Sequence, residues 1–369
     1  MKYMNTYKAV IMAFAMLPFV LSSCSKDVHD TAESFAISFS ASDDVRAPGE
    51  MDDIAVDGYG FGVFAFDTGL YRYGDSNVNP NFMYNERVSY VEATSRWTYE
   101  PVKYWPNGEG DLAGTTGALA SHLSFFAYAP YSDMAEDNPA GYCITTISDQ
   151  SEPGNPWIVY RIHEDVSQQV DLLYAPTVID RTLDQTKPDV AARIGFQFRH
   201  ALACVGEKVR VSCSANLKAA LAGEAAVNGE KIQVILQNVR IRYHLTERAR
   251  LTLWSTGTPR WQLLLNGELT ADRIVTYGED LGWLLYSTLA SEGGGAWESA
   301  GGEGVFYIPV DVPGDVQTAT VIGEFIVRRI AGSVTTDTME SREMSFAMNS
   351  YPEGFAPGKK LSNIGVALQ

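Results

Sequence analysis

Cys24 carries the most readable chemistry in the chain. It closes the run Leu21-Ser22-Ser23-Cys24, the pattern of a bacterial lipobox. There, small residues precede a cysteine whose thiol is acylated and whose amine becomes the new N-terminus. Lys2 and Lys8 supply a positive segment around the start of an apolar run from Ala9 to Leu21. That run is shorter than the roughly 20 residues a helix needs to cross about 30 Å of hydrocarbon. Residues 1–23 therefore read as a signal peptide. Acyl chains on Cys24 would hold the chain to a membrane without a spanning helix, because each buried CH₂ adds about 0.8 kcal/mol.

The other reactive side chains form no comparable pattern. Cys143, Cys204 and Cys213 follow Cys24, an odd number that allows at most one bridge. Cys204 and Cys213 are near enough in sequence to face each other across a hairpin, although buried free thiols are the favoured state. No C-x-x-C pair exists to hold zinc or run redox chemistry. His29, His122, His163, His200 and His244 lack metal-ligand spacing. Asp57 and Asp67 flank a Gly-rich strand without a calcium-loop pattern. Gly58-Tyr59-Gly60-Phe61-Gly62 has the wrong spacing for a dinucleotide turn, and tight packing or a bulge explains it better. No G-x-S-x-G, H-E-x-x-H or P-loop occurs, and no pair of carboxylates stands out for glycoside hydrolysis. Trp97, Tyr99, Tyr104 and Trp105 offer an aromatic platform for sugar, with core packing the favoured alternative. The expectation is a non-enzyme without cofactor or metal. The formal net charge is −17, and loss of residues 1–23 removes Lys2 and Lys8 but no acid, giving −19. No cluster of Lys and Arg offers nucleic acid a footing.

The elements around these residues are mostly strands. Aromatic residues make up 11% of the chain and suit pleated, half-buried surfaces. Phe35, Ile37 and Phe39 alternate with small polar or apolar residues, which predicts a strand with one buried face. An acidic loop over 41–53 follows. Further strands are expected over 60–66, 87–91, 97–99, 123–128, 157–162 and 171–174. In the second half they are expected over 194–198, 208–213, 232–243, 249–254, 304–310 and 321–327. A short helix fits 217–226, and a Gly-rich loop fits 291–304. The polar stretch 177–192, with Pro188, reads as a domain junction. Ile364, Val366 and Leu368 alternate at the end of the sequence. Short strands at this spacing suit sandwiches or barrels, and 369 residues allow about two domains.

Order and spacing of several motifs then carry a resemblance. Trp97-x-Tyr99-x-Pro101-x-Lys103-Tyr104-Trp105-Pro106 is followed by Leu123-Ser124-Phe125-Phe126-Ala127-Tyr128-Ala129-Pro130-Tyr131. Next come Asp171-Leu172-Leu173-Tyr174-Ala175, Phe196-Gln197-Phe198-Arg199-His200-Ala201-Leu202-Ala203 and Pro357-Gly358-Lys359-Lys360. Across essentially its whole length the chain resembles the fimbrillin-like lipoproteins of Bacteroides-type bacteria. Ser25-Lys26-Asp27, just after Cys24, resembles the acidic export signal of their surface-exposed lipoproteins.

The resemblance implies an all-β fold of two tandem transthyretin-like β-sandwich domains, mapped here to 47–190 and 191–369. Segment 24–46 would be a lipidated tether and removable first strand. It implies a structural or adhesive fimbrial subunit, lipid-anchored at the outer membrane and displayed on the cell surface. Its partners would be other fimbrial subunits, an Arg-specific protease and host proteins or glycans. Cleavage between Arg46 and Ala47 would free the groove filled by Phe35, Ile37 and Phe39. Ile364, Val366 and Leu368 would form the donor strand of a neighbour. A monomeric glycan-binding surface lipoprotein using Trp97, Trp261 or Trp297 is the alternative.

Overall fold

Strands running in the expected order build the core of this computed structural model, which describes residues 35–43, 60–106, 121–134, 143–183, 187–264, 270–300, 306–310, 312, 317–350 and 355–369. Cys24, Arg46 and Ala47 lie outside the described residues. The fold is all-β, with one substantial helix among the described residues.

The first sheet explains why its central strands are apolar without a break. Its order is Ser38–Asp43, Arg193–His200, Leu173–Tyr174, Leu123–Ala129, Phe61–Asp67, Met83–Val91 and Arg96–Thr98. Phe61, Val63, Ala65, Phe125 and Ala127 face one core, while Phe64, Phe66, Phe126 and Tyr128 face another. A strand buried on both faces must be apolar at every position. Gly60 and Gly62 serve this packing. A Cβ on Gly60, where φ is +71°, would lie 2.1 Å from the Val88 carbonyl oxygen, and one on Gly62 would lie 2.4 Å from the Tyr128 ring. Gly60 and Gly62 are thus packing devices.

Two further sheets face each other in the second half. Leu202–Cys213 pairs with Trp297–Glu298 and Phe306–Pro309, and also with Lys360–Leu368. Opposite it, Lys231–Thr246 pairs with Thr270–Gly278, Trp283–Ser287 and Thr318–Ala331, and the last of these pairs with Val334–Ala347. Val209, Val211, Ile364 and Val366 meet Ile232, Val234, Val321 and Phe325 in one core. The helix Ala215–Asn228 covers one end. Ser214 caps its first turn by accepting from Leu217 N, and Gly229 ends it in the left-handed region.

One expectation changes, and the favoured free state of the cysteines holds. The division at 190/191 does not separate the sheets. Arg193–His200 belongs to the first sheet, and Trp157–Arg161 pairs with Arg248–Thr252. The polar stretch that suggested a junction instead holds the strand Val178–Arg181 and the helical turn Pro188–Ala191. Cys204 and Cys213 sit on one strand, not across a hairpin. Nine residues of strand place them roughly 30 Å apart, so both remain free and buried, as does Cys143.

Gly60→Ala is expected to destabilise the chain by about 1–3 kcal/mol from backbone conformation alone, and by more through the clash with Val88. A denaturant titration against the parent reads this directly.

Candidate functional site

The segment that begins the described residues lies in a slot. Ser38 N donates to Ala192 O (3.0 Å), and Ser38–Asp43 runs parallel to Arg193–Phe198 without a register shift. On the opposite edge Ile37 N donates to Lys103 O (2.9 Å) and Trp105 N to Phe35 O (2.8 Å). The leading strand is therefore bonded along one edge and only near its start along the other. It lies at the end of its sheet, where the sheet curls until residues 103–105 meet it.

Aromatic rings line this slot. Phe39 lies 5.2 Å from Tyr99, stacks on Phe196 at 5.8 Å, and meets Phe61 and Phe125 edge-on, each at 6.2 Å. Ile37 and Phe39 are buried, while Phe35 is half-buried against the same core. Tyr99 donates its hydroxyl to Ile37 O (3.0 Å) and accepts from Lys103 N (3.1 Å). Burial pushes the Tyr99 phenol up from its ordinary 10 to about 12. The expected inward set, Phe35, Ile37 and Phe39, is thus brought together. Phe35 precedes the regular strand and enters through the bridge between Ala36 and Tyr104.

The terminal strand Lys360–Leu368 runs parallel to Leu202–Cys213, from Cys204 opposite Lys360 to Cys213 opposite Leu368. Ile364, Val366 and Leu368 point into the core and are buried. Gly358 N donates to Leu202 O, Cys204 N to Lys359 O and Ser214 N to Leu368 O. Next to this junction, His200 Nδ1 lies 2.5 Å from Asp171 Oδ2, and burial raises the Asp171 pKa. Burial also pushes the Cys204 thiol up to about 12, which leaves it a poor nucleophile.

Both strands share one rail, a relation the sequence alone did not reveal. Backbone groups along a strand alternate between its two edges. Ala192, Leu202 and Cys204, all even positions, bond the leading and terminal segments, while Ala201 and Val209, both odd, bond Leu172 and Ser299 on the other side. The leading and terminal strands thus lie end to end along the same edge of Arg193–Cys213. Both point the same way.

The aromatic alternatives mostly resolve into core. Trp261 is buried and donates to Ala201 O, and Trp297, Tyr99 and Trp105 are buried. Trp97 is half-buried against Phe61 and Tyr90, and only Tyr104 is well exposed. No group of three or more His, Cys, Asp or Glu among the described residues is placed to hold a metal.

These features define an all-β fold whose first and last described strands share the edge of one long strand. Its likeness to fimbrial proteins of Bacteroides-type bacteria rests on sequence and on fold. Over 163 residues the chain is 28% identical to the fimbrium subunit Fim1C of Phocaeicola vulgatus, a match spanning 43% of this chain and 38% of that relative. A crystal structure of a fimbrial protein from Bacteroides vulgatus superposes with a TM-score of 0.54. It is 17% identical and covers 90% of this chain and 96% of its own. No protein-family model matches the chain.

Phe39→Ala is expected to cost about 3–5 kcal/mol, read as lost protection of the Arg193–Phe198 amides in hydrogen exchange. The raised Tyr99 pKa favours the protonated phenol in the folded chain. Its contribution is therefore full below pH 10 and falls as pH climbs toward about 12. Denaturant titrations at successive pH values should show a shallower alkaline loss in Tyr99→Phe than in the parent.

Proposed function

We propose that this chain is a structural or adhesive subunit of a fimbria. On this reading it is exported by residues 1–23, acylated on Cys24 and held at the outer membrane, facing outward. An Arg-specific protease cuts after Arg46, so that segment 24–46 leaves and Ala47 becomes the new end. A neighbouring subunit's Ile364, Val366 and Leu368 then fill the slot that Phe35, Ile37 and Phe39 occupied. Host proteins or glycans are the targets of an adhesive form.

The shared edge of Arg193–Cys213 carries this reading. A vacated slot leaves the even-numbered N–H and C=O groups of 193–198 unpaired, and buried unpaired groups of this kind are costly. It also uncovers Phe61, Tyr99, Phe125 and Phe196. Each fully buried side chain of that size is worth about 1.5–3 kcal/mol. The terminal strand already pairs parallel to the same rail on the same edge, so a second copy of it needs no reversal to pair with 193–198. Adding a strand in this way is β-augmentation. The contact is head-to-tail, does not close on itself and extends into a filament.

Purified precursor treated with an Arg-specific protease is expected to give a ladder of oligomers on a denaturing gel. Arg46→Ala is expected to give none. Normal ladders from Arg46→Ala, or complete cleavage at Arg46 without ladders, would overturn the proposal.

A further inference from the structure

The long hairpin of the second half ends in an unprotected edge. Thr318–Ala331 and Val334–Ala347 pair in continuous register from Thr318 opposite Ala347 to Ala331 opposite Val334, with no bulge. No described strand pairs with the far edge of Val334–Ala347. Natural edge strands are blunted by proline, lysine, bulges or shortness. This one has 14 residues, VTTDTMESREMSFA, without proline, glycine or lysine. Nearly all of its residues are exposed.

Hydrogen-bond parity says which groups are free. Gly332-Ser333 closes a two-residue turn, so Ala331 and Val334 form a hydrogen-bonded pair and even positions bond inward. Met348 N keeps that parity by donating to Gln317 O (3.0 Å). Thr335, Asp337, Met339, Ser341, Glu343 and Ser345 therefore turn their backbone groups to the open edge.

We propose that this edge pairs antiparallel with the same edge of a second copy, about a two-fold axis through Ser341. The charge pattern singles out that register. Glu340 and Arg342 flank Ser341 on one face, joined at 2.9 Å and 33% and 56% exposed. About this axis Glu340 faces Arg342 of the second copy, and Arg342 faces its Glu340. Thr338 then meets Met344 and Thr336 meets Phe346, pairs of β-branched with large apolar side chains that support a sheet. Met339 falls opposite Glu343, which Arg242 already neutralises at 3.3 Å. An axis through Asp337 or Glu343 would instead set like charges opposite each other, which is destabilising. The contact is self-complementary and closed, so it differs from head-to-tail strand exchange and needs no cleavage.

Sedimentation velocity on the Cys24→Ser, Arg46→Ala chain tests this without acylation or processing. The expected species is a dimer. Glu340→Arg alone sets arginine against arginine, and Arg342→Glu alone sets glutamate against glutamate. Each is expected to weaken the dimer at least about tenfold. Glu340→Arg with Arg342→Glu restores opposite charges and the dimer. Ser341→Pro removes a free-edge donor while sparing the inner ladder, and is expected to give a folded monomer by circular dichroism. A parent that is monomeric at every concentration, or a double variant no tighter than either single one, would overturn the proposal.

Discussion

Every strand has two edges, and unpaired backbone groups held out of water cost free energy on either one. In this molecule that constraint concentrates on Arg193–Cys213. One edge is served by antiparallel neighbours: Leu173–Tyr174, Trp297–Glu298 and Phe306–Pro309. The other is served by two parallel strands distant in sequence, Ser38–Asp43 and Lys360–Leu368. Parallel neighbours cannot be joined by a tight turn. Both segments are thus held by their ladders and apolar faces, with no short loop tying them to the rail.

The two halves of the rail meet their cores differently. Along 193–198 the inward residues Ile194, Phe196 and Phe198 join an aromatic core with Phe39, Phe61 and Phe125. Along 204–213 the inward residues are smaller, and the terminal strand matches them with Ile364, Val366 and Leu368. A cavity of about 330 Å³ remains between the end of that strand and the long hairpin, lined by Val321, Gly323, Met344, Val366 and Leu368. The aliphatic half thus keeps unoccupied space beside its last strand.

This contrast explains what the sequence disclosed. Phe35, Ile37 and Phe39 were legible because one face of their segment enters an apolar core and the other does not, which imposes period two. FGVFAF and LSFFAYA were legible as strands despite lacking alternation, because a short apolar run bounded by turns has few other fates. Val334–Ala347 was invisible for the opposite reason. Both its faces meet water, so TTDTMESRE carries no apolar period, and only pairing with Thr318–Ala331 makes it a strand. The rail itself was hidden because Ala201 interrupts the regular strand pattern and the parity of hydrogen bonds has no sequence signature. The cysteines left two geometries open for a related reason: nine positions can be a hairpin or one extended strand, and only the ladder decides.

Size matching limits how any replacement strand could sit in the slot. Phe39 touches rings on four sides, so its position tolerates loss of volume poorly, and an unfilled methylene costs about 0.8 kcal/mol before any cavity penalty. Of the three inward residues of the terminal strand, Val366 is the smallest and would leave the largest void there. Alternation fixes the other two four positions apart, and therefore two places from Val366. Setting Leu368 in the Phe39 position puts Val366 where Ile37 lies and Ile364 where Phe35 lies. Setting Ile364 there instead sends Val366 to the position of Ala41, which is half-buried and less demanding. The first register fits the slot better, because the second would set Ser362 in the buried position of Ile37 and Lys360 in that of Phe35. The second would also carry Leu368 past Ala41 to the end of the leading strand, beyond the inward set. The physical demand of the slot is thus a large residue at the Phe39 position preceded by apolar residues two and four places before it, a stricter condition than alternation alone.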